Sequence, residues 1–510
     1  MELQKNSESD EKKLVDETQD IFRTYSTNRD TWARHAKEDK EFRLGRQWTK
    51  EQEDKLKGRG QAPIVINRVH PAVESAKAML TANRPSFRCA PREDSDNKVA
   101  QVVSALLSYM FDISDGRTAI RQAVDDYYVM GMGLMQVYQD PTADMGKGEV
   151  KIQDIDPLDV YVDPNSRSRY FDDAENVIVS RMFTKSQAVK MYPMYEKAIK
   201  NASSDQSWNE IHTANSTDGF AAQFPEDVGQ VQNQEYIRGY ERYFKVQVSK
   251  FRIFEKFSGK EDLLAKEDFG RYIEQPAWIV QGQQVLTDPE QVQKLVQQFL
   301  MQQQQQMMQA GYDSSAIPPE PPVEETTFGE LIKRGMIEVV QVDVSRVKMC
   351  VIMGDTYLYS RVLPTDQYPI VPFMNIHTRT PYPTSDVRMI KGVQQYINKT
   401  RSLIIAHATT STNTKILVPE GSVDMAEFEQ KWAQPGVAIP YDPTDGAPVA
   451  VQPSPLPNEL YNNETTAKND IDHQLGLYEM MMGNSQNAPQ TYKATISIDD
   501  ATALYTRKDF

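Results

Sequence analysis

The amino-acid sequence predicts an α+β protein in which long helices flank a region of short strands. Apolar residues recur three and four positions apart through residues 97–135 and again through 385–412, which is the period of an amphipathic helix. Between residues 134 and 181 the apolar period shortens to two, and Pro, Asp and Gly separate the segments, as in turn-linked strands. These strands do not alternate regularly with helices, so a Rossmann-type sheet is not expected.

The N-terminal part of the chain is predicted to be mainly helical. Residues 1–20 are acidic and polar and are expected to form a solvated tail with weak helical character, whereas residues 21–48 place aromatic side chains at helical spacings. A short extended run then leads into a helix that must end before Pro85. The strong helical pattern of residues 97–135 closes with the glycines of the segment 131–133, because glycine commonly ends helices.

The strand region contains four short apolar segments bounded by turn residues: LMQVYQ, EVKIQDI, DVYVDP and NVIVSRMF. Residues 184–215 return to a helical pattern. Residues 235–256 and 336–360 are rich in alternating aromatic and β-branched residues, which predicts longer strands.

Residues 276–322 differ in composition from the rest of the chain. QQVLTDPEQVQKLVQQFLMQQQQQMMQAGY predicts a Gln-rich helix, capped by Thr287 or Asp288, with Pro289 in its first turn. The proline-rich sequence SSAIPPEPPVEE follows it and is typical of a linker. We expect this stretch to be a mobile or inter-subunit surface insertion.

Two amphipathic helices bracket a compact Pro/Gly-rich segment in the last quarter of the chain. The first helix is predicted over 385–412, with Ser385 or Thr384 as its cap. Three isoleucines repeat every seven residues in it, and a second apolar row lies beside them, so one broad apolar face is expected. The two rows are Ile390, Ile397, Ile404 and Met389, Tyr396, Leu403.

The second helix is predicted over residues 458–479 and combines an apolar face with an acidic one. The acidic face contains only one basic residue, Lys468. Its acidic side chains are Glu459, Glu464, Asp470, Asp472 and Glu479. One interpretation of this face is simple solvation. The other is that, repeated around a ring, these carboxylates form a negative lumen that repels the phosphates of a DNA duplex.

Composition and motifs exclude several classes of function. The chain has 510 residues and a formal net charge of −15. An acidic chain of this kind is not a general nucleic-acid-binding protein, because binding requires clustered Lys and Arg to neutralise phosphates. It could still surround DNA without binding it tightly. Its two cysteines predict no disulfide framework and fit a reducing cytoplasm. The polar N-terminus is unlike a signal peptide, and no apolar run reaches the ~18 residues of a membrane span.

No motif of the sequence predicts catalysis, a cofactor or a metal ion. DMGKGEV lacks the glycine and the Ser or Thr of a P-loop, and the six histidines lack zinc-site spacing. The acidic segment DIDPLDVYVDP is the one candidate for a metal-dependent nuclease site. Asp-Pro pairs initiate turns and the intervening residues alternate as in strands, so turns are the preferred interpretation of Asp154, Asp156, Asp159 and Asp163.

Three blocks of sequence, in this order, resemble the portal proteins of tailed bacteriophages, particularly those of short-tailed phages. DDYYVMGMGLMQVY with IDPLDVYVDPNSR forms the second block, and VQQYINKTRSLIIAHATTST, with Asn398, Arg401 and Ser402, forms the third. The first block opens with a G-x-Q-W motif, and its matching positions are Gly45, Gln47, Trp48, Arg59, Pro63, Asn67 and Asn83-Arg84-Pro85. The tunnel region departs from the family, because it lacks the Ser-Gly-x-Ala-Ile run that is common in relatives.

The resemblance implies a structural, non-enzymatic protein of the virion. Portals of this type form a ring of twelve subunits at one vertex of the capsid, are made in the host bacterial cytoplasm, and conduct double-stranded DNA during packaging and ejection. The implied partners are the terminase large subunit, which hydrolyses ATP, and then the tail adaptor or head-completion protein. The major capsid and scaffolding proteins are further implied partners, and no membrane is involved.

The resemblance also divides the chain into the regions of a portal fold. These are a flexible tail (1–20), an α/β wing (21–384, with the Gln/Pro-rich insertion at 276–322), two stem helices (385–412 and 458–480), a small α/β clip (413–457), a tunnel loop (481–496) and the start of the next wing or crown helix (497–510). The chain stops inside that helix, so we expect a crown or barrel to be missing after residue 510.

Two sets of functional residues follow from this division. The expected lining of the DNA channel comprises Glu464, Asp470, Glu479, Gln486, Asn487, Gln490 and Lys493. The expected docking residues of the clip are Glu427, Glu429, Lys431 and Trp432, although Trp432 could simply pack the core of the clip. Two alternatives are another structural virion protein, such as an adaptor, and a metal-dependent nuclease.

Overall fold

The computed structural model describes residues 8–82, 85–91, 96–203, 235–280, 284–309, 323–412, 415–432, 434–451 and 457–475. The chain divides into two compact units. Unit 1 comprises residues 1–243, 350–361 and 368–510, and unit 2 comprises residues 244–349 and 362–367.

The helices of the described residues are concentrated in the N- and C-terminal parts of the chain. Among them, none is long and apolar enough to cross a membrane. Their bounds are α1 (Glu8–Arg43), α2 (Lys50–Gly58), α3 (Val69–Leu80), α4 (Asn97–Ile113), α5 (Gly116–Met130), α6 (Lys185–Met191), α7 (Glu196–Asn201), α8 (Lys266–Ile273), α9 (Pro289–Gln309), α10 (Phe328–Lys333), α11 (Asp386–Thr412), α12 (Met425–Trp432) and α13 (Glu459–Gln474).

The strands occupy the middle of the chain, together with two short ones near the C-terminal end. Their bounds are β1 (Met132–Asp140), β2 (Glu149–Ile155), β3 (Val160–Val162), β4 (Asn176–Thr184), β5 (Tyr236–Glu255), β6 (Glu261–Ala265), β7 (Pro276–Val280), β8 (Gln284–Leu286), β9 (Val323–Thr327), β10 (Ile337–Met353), β11 (Thr356–Val362), β12 (Ile370–Met374), β13 (Ile416–Leu417) and β14 (Val449–Ala450). The mixed α+β class predicted from the sequence is confirmed.

Helix α1 begins much earlier than the sequence pattern suggests. The predicted solvated tail is wrong for residues 8–20, because they form the first turns of this one continuous helix. Val15 and Thr18 are buried within unit 1. The carboxylate of Glu17 also accepts a 2.7 Å hydrogen bond from the Arg242 guanidinium. A few buried contacts therefore order a segment that is mostly charged.

The predicted helical segment 97–135 is broken into α4 and α5. Asp115 adopts a left-handed backbone conformation, with φ of 47°, and turns the chain between the two helices. The next position, 116, requires glycine, because a Cβ atom there would overlap the ring of Phe111. Helix α5 ends at Gly131, whose φ is 85°, as predicted for a glycine stop.

The four predicted strands between residues 134 and 181 are all present in unit 1. Strand β1 is the centre of an antiparallel sheet of order β12-β1-β2, in which Leu134 lies opposite both Ile155 and Pro372. Strand β3 pairs antiparallel with β4, with Val160 opposite Val179.

Unit 2 contains the Gln-rich stretch and has its own apolar core. Strand β7 lies between β8 and β9 in a small antiparallel sheet. Ala277 and Ile279 of β7 are buried against residues of α8, α10 and β10, so the expectation of a mobile surface insertion is wrong for β7. The Gln-rich helix α9 starts at Pro289 as predicted, and its cap, Asp288, accepts a 3.0 Å hydrogen bond from the N–H of Glu290. The proline-rich residues 310–322 lie outside the described part of the chain.

The main core of unit 1 joins five helices, and it fixes the position of the helix pair α11 and α13. Helix α11 begins one residue after its predicted cap, and the Ser385 hydroxyl accepts a 3.0 Å hydrogen bond from the N–H of Arg388. Buried side chains of α1, α3, α5, α11 and α13 meet in this core: Ala36, Phe42, Val69, Ala72, Val73, Ala76, Val124, Tyr127, Tyr128, Val129, Met130, Val387, Ile390, Ile397, Ala467, Ile471 and Leu475.

Candidate functional surfaces

A row of polar side chains on α11 binds the backbone of the extended segment 61–68. We call this row the polar ladder; it consists of Gln394, Asn398 and Ser402, four residues apart and all buried. Alternate N–H groups of the segment donate to successive members of the ladder: Arg68 to Gln394 (3.1 Å), Ile66 to Asn398 (2.9 Å) and Ile64 to Ser402 (3.3 Å).

The polar ladder forms because the rise of four helical residues nearly equals the span of two residues of an extended chain. Four residues of an α-helix rise about 6 Å. Two residues of an extended chain span roughly 6.6 Å. Each turn of α11 therefore meets the next of these three N–H groups.

Gln47 extends the polar ladder towards the end of α1. The side-chain amide of Asn398 donates to the carbonyl oxygen of the Gln47 side chain at 2.6 Å, and the Gln47 amide donates to the backbone oxygen of Phe42 at 2.9 Å. Gln394 also donates to the backbone oxygen of Ile66 at 2.7 Å. Several positions that carry the portal resemblance therefore bond one another in the interior of unit 1.

A buried ion pair joins α11 to α13. The carboxylate of Glu464 accepts hydrogen bonds from the Arg401 guanidinium and from the Lys468 ammonium group of its own helix. Glu464 is only 3% exposed. Burial alone would raise the pKa of this carboxyl, but the hydrogen bonds from Lys468 and Arg401 outweigh it and hold the pKa below its usual value. The expectation that Glu464 lines an open acidic face is therefore wrong.

The exposed face of α13 is largely neutral and polar. Asp472 is also engaged, because it accepts a 2.9 Å hydrogen bond from Arg68. Asp470 is exposed, as predicted, and Glu459 is exposed at the start of the helix. The remaining exposed positions are mainly amides and hydroxyls: Asn462, Asn463, Thr465, Thr466 and Asn469.

The other residues expected to line a channel lie outside the described part of the chain. They are Glu479, Gln486, Asn487, Gln490 and Lys493.

Helix α11 presents an apolar row to solvent. The predicted single broad face is in fact two rows, because only the row of Ile390, Ile397 and Ile404 is buried in unit 1. The second row is exposed, and we call it the α11 row; it consists of Met389, Tyr396 and Leu403. Its heptad spacing is that of a helix seam that packs against another element.

The segment 415–451 is a small α/β module between the two helices. Strand β13 pairs antiparallel with β14, with Ile416 opposite Ala450. Phe428 of α12 is buried, and the half-exposed ring of Trp432 lies beside it, with 5.1 Å between ring centroids. Glu427 and Lys431, two of the predicted docking residues, form an ion pair on the same helix. The third, Glu429, is exposed.

Many apolar side chains of the segment 415–451 are exposed. Beyond Trp432, they are Leu417, Met425, Val437, Tyr441, Val449 and Val451.

In the acidic segment 154–163, the carboxylates of Asp156 and Asp163 accept hydrogen bonds within turns. Asp156 accepts a 2.8 Å hydrogen bond from the N–H of Leu158. Asp163 accepts hydrogen bonds from the N–H groups of Asn165 and Glu175. Across the residues that the structure describes, no group of three or more His, Cys, Asp or Glu side chains could hold a metal ion.

The model of the family described as phage P22-like portal protein matches residues 19–266 and 320–504. The unmatched interval, 267–319, contains β7, β8 and α9, and falls on the Gln-rich stretch that the sequence resemblance left out. No curated protein matches the chain.

Proposed function

This chain belongs to the phage P22-like portal protein family, and on that basis we propose that twelve copies form a ring around a channel for double-stranded DNA at one vertex of the capsid. The observation that carries the proposal is the extent of the family match, which includes the described residues of α11, α13 and the segment between them. In this ring the wing comprises residues 21–384, the stem residues 385–412 and 458–480, and the clip residues 413–457.

The α11 row supports contact between copies. The three side chains are 61%, 43% and 38% exposed, so covering what remains in water would favour association by about 0.5–2 kcal/mol for each. A neighbouring copy supplies that burial at every position of a closed ring.

The exposed face of α13 suits a channel through which DNA must slide. Lys468 is the only Lys or Arg side chain among the described residues of this helix, and it is paired with the buried Glu464. Translocating DNA would meet mainly amides, hydroxyls and the Glu459 and Asp470 carboxylates, which do not neutralise phosphates, together with the exposed Tyr461 and His473. We therefore propose that friction is low chiefly because exposed lysine and arginine are lacking, with Asp470 adding repulsion.

The tunnel loop, 481–496, completes this channel in the proposal. Gln486, Asn487, Gln490 and Lys493 make weak, transient contacts with DNA, and Glu479 adds negative charge at the end of the second stem helix.

The segment 415–451 supplies the docking surface of the clip. Its exposed apolar residues and the outer edge of Trp432 bind the terminase large subunit during packaging and the tail adaptor or head-completion protein afterwards. Glu427, Glu429 and Lys431 surround this apolar surface with charge. The chain itself is structural, and terminase hydrolyses ATP; the major capsid and scaffolding proteins contact the ring in the virion.

Native mass measurement and electron microscopy of the purified protein test the proposal. We expect a species twelve times the mass of the 58.2 kDa chain, with a central hole wide enough for a duplex. A second structural candidate, an adaptor, would bind below a portal formed by another protein, and images of particles separate the two cases. A chain that is monomeric at all concentrations and in particles would contradict both.

A further inference from the structure

A polar cleft lies between α3 and α5, and the proposed function has not used it. We call it the α3–α5 cleft. Its volume is about 310 Å³, at the lower end of the range of about 300–1,000 Å³ that is usual for small-ligand pockets. Six of its seven lining residues are polar: Glu74, Lys77, Thr81, Thr118, Arg121 and Gln122.

Helix α5 forms a wall of unused hydrogen-bond donors. Thr118, Arg121 and Gln122 are three and four residues apart, so they share one face of the helix, and all three are exposed. A guanidinium group carries five N–H donors. The side chain of Arg121 bonds no other residue in the part of the chain that the structure describes. A ligand in the cleft would therefore find these donors available.

Lys77 places a second cation in the cleft from the side of α3. Its side chain is only 22% exposed, and its ammonium group donates to Glu74 at 2.7 Å and to Asp125 at 3.0 Å. An ammonium group has three N–H donors, so one of them finds no acceptor among the described residues. A mostly buried cation with an unused donor favours an acceptor from outside the chain.

The charges around the α3–α5 cleft leave an excess of one positive charge. Glu74 and Asp125 each pair with both Lys77 and Arg43, so two carboxylates offset two cations. The hydrogen bond from Lys77 is the main reason that the pKa of Glu74 lies below its usual value, so this carboxylate stays ionised and occupied. Arg121 is the cation that remains without a partner, in a chain whose net charge is −15.

We propose that the α3–α5 cleft binds a phosphate group. A phosphate has more acceptor oxygens than a carboxylate, and it matches a cleft in which donors outnumber free acceptors. The planar fork of Arg121 suits bidentate contact with phosphate, and Lys77 adds a second positive charge. The Thr118 hydroxyl and the Gln122 amide supply further donors. Both helices belong to unit 1, so the inference does not depend on the proposed ring.

The volume of the cleft leaves room for a group attached to the phosphate. A small phosphate ester, such as a nucleoside monophosphate, and the backbone of DNA both present the same chemistry. The phosphate should lie on the side of Arg121, because the ionised Glu74 carboxylate repels it from the opposite side.

Titration of the full chain tests the inference with three probes at constant ionic strength. Inorganic phosphate and deoxyadenosine monophosphate are followed by the broadening of their ³¹P resonances, and a short labelled DNA duplex by fluorescence anisotropy. We expect saturable binding that Arg121→Ala weakens about tenfold, because the substitution removes charge-assisted hydrogen bonds. Arg121 is exposed, so the variant should fold. Arg117→Ala, on an exposed position of the same helix outside the cleft, is the matched control and should bind like the parent.

A conservative variant separates the shape of the donor group from its charge. Arg121→Lys keeps the positive charge but loses the bidentate fork, so its affinity should lie between those of the parent and Arg121→Ala. Equal weakening by Arg117→Ala and Arg121→Ala would indicate a diffuse effect of charge and would overturn the site.

The three probes also identify the source of the phosphate. Binding of the two small probes without the duplex would assign the cleft to a small phosphate compound. Duplex binding that also depends on Arg121 would assign it to DNA. Either result supports the phosphate site. Saturable binding of none of the probes, or equal binding by the parent and Arg121→Ala, would overturn the inference and leave the ring proposal unaffected.

Discussion

The side-chain oxygen of Asn398 accepts a 2.9 Å hydrogen bond from the backbone N–H of Ile66, although 332 residues of sequence separate them. Asn398 is completely buried, and its amide group donates to Gln47. One side chain thus connects α11 to both the extended segment and the end of α1. The polar ladder is consequently a structural anchor of α11.

Replacing Asn398 with alanine should destabilise unit 1. The N–H of Ile66 and the side-chain oxygen of Gln47 would lose their buried partner, which costs about 1–3 kcal/mol for each unsatisfied group. Chemical denaturation followed by circular dichroism measures the change. Lys399→Ala, at the exposed neighbouring position, should have almost no effect. Equal stabilities of the two variants would contradict the anchoring role.

Replacing Glu464 with lysine should prevent α13 from packing on α11. The new ammonium group would lie buried opposite Arg401 and Lys468, and breaking a buried pair in this way costs about 3–5 kcal/mol. We expect a strongly reduced melting temperature and no rings. Normal rings of Glu464→Lys would show that Glu464 is not enclosed between the helices.

The Glu464 pair should also contribute to the acid sensitivity of the protein. Because the folded-state pKa of Glu464 is lowered, its contribution is present above the unfolded pKa and is lost as the pH falls through the folded value. Glu464→Gln should therefore lose less stability than the parent chain between neutral pH and pH about 3. Parallel pH profiles of the two proteins would contradict this assignment.

Asp126 should make the protein less stable in mildly alkaline solution. Burial and, to a smaller extent, the neighbouring Asp156 and Asp125 carboxylates raise the pKa of Asp126 to about 8. Because the folded-state pKa is raised, the stability is full below the unfolded value, is lost progressively as the pH rises from there to about 8, and is lowest above that pH. Asp126→Asn should remove this fall and raise the free energy of unfolding at pH about 8.5 by roughly 1–4 kcal/mol. Unchanged stability at that pH would show that Asp126 is ionised without penalty.

Asp470→Lys tests the channel surface separately from the fold. Asp470 is exposed, so the variant should fold and form rings, but twelve new cations would bind phosphates and slow the DNA. We expect particles with a reduced DNA content, and the defect should weaken at high salt. Asp470→Asn is the conservative control and should package almost normally. Full packaging by Asp470→Lys would place this face of α13 away from the channel.

Trp432→Ala tests the docking surface. The half-exposed Trp432 ring should bind the partner, so its loss should weaken binding of terminase to purified rings, as measured by surface plasmon resonance. Gln430→Ala, on an exposed position of the same helix, is the control. If Trp432 only packs against Phe428, the variant would instead lower the melting temperature of the ring and leave terminase affinity unchanged.

Local patterns predicted most of the helices and strands correctly, together with two caps. Ser385 and Asp288 cap helices where the sequence places them, because capping depends on neighbouring residues alone. The start of α1 was missed, since the contacts that order it lie far away in sequence, as between Glu17 and Arg242.

The site residues were harder to predict because burial depends on the tertiary partner. Glu464 belongs to an acidic pattern, and nothing local indicates that Arg401, 63 residues earlier, encloses it. The same limit applies to the two rows of α11, which are equally apolar although only one is buried. A signal for the polar ladder was present: Gln394, Asn398 and Ser402 repeat every four residues beside the apolar rows of α11.

An electron cryo-microscopy reconstruction of the purified ring tests the central claim most directly, because it shows which face of each stem helix meets the channel. The account predicts a closed ring in which Asn469 and Asp470 of α13 face the central channel and Met389, Tyr396 and Leu403 lie against a neighbouring copy. A ring with α13 on its outer surface, or a channel lined by the α11 row, would contradict it.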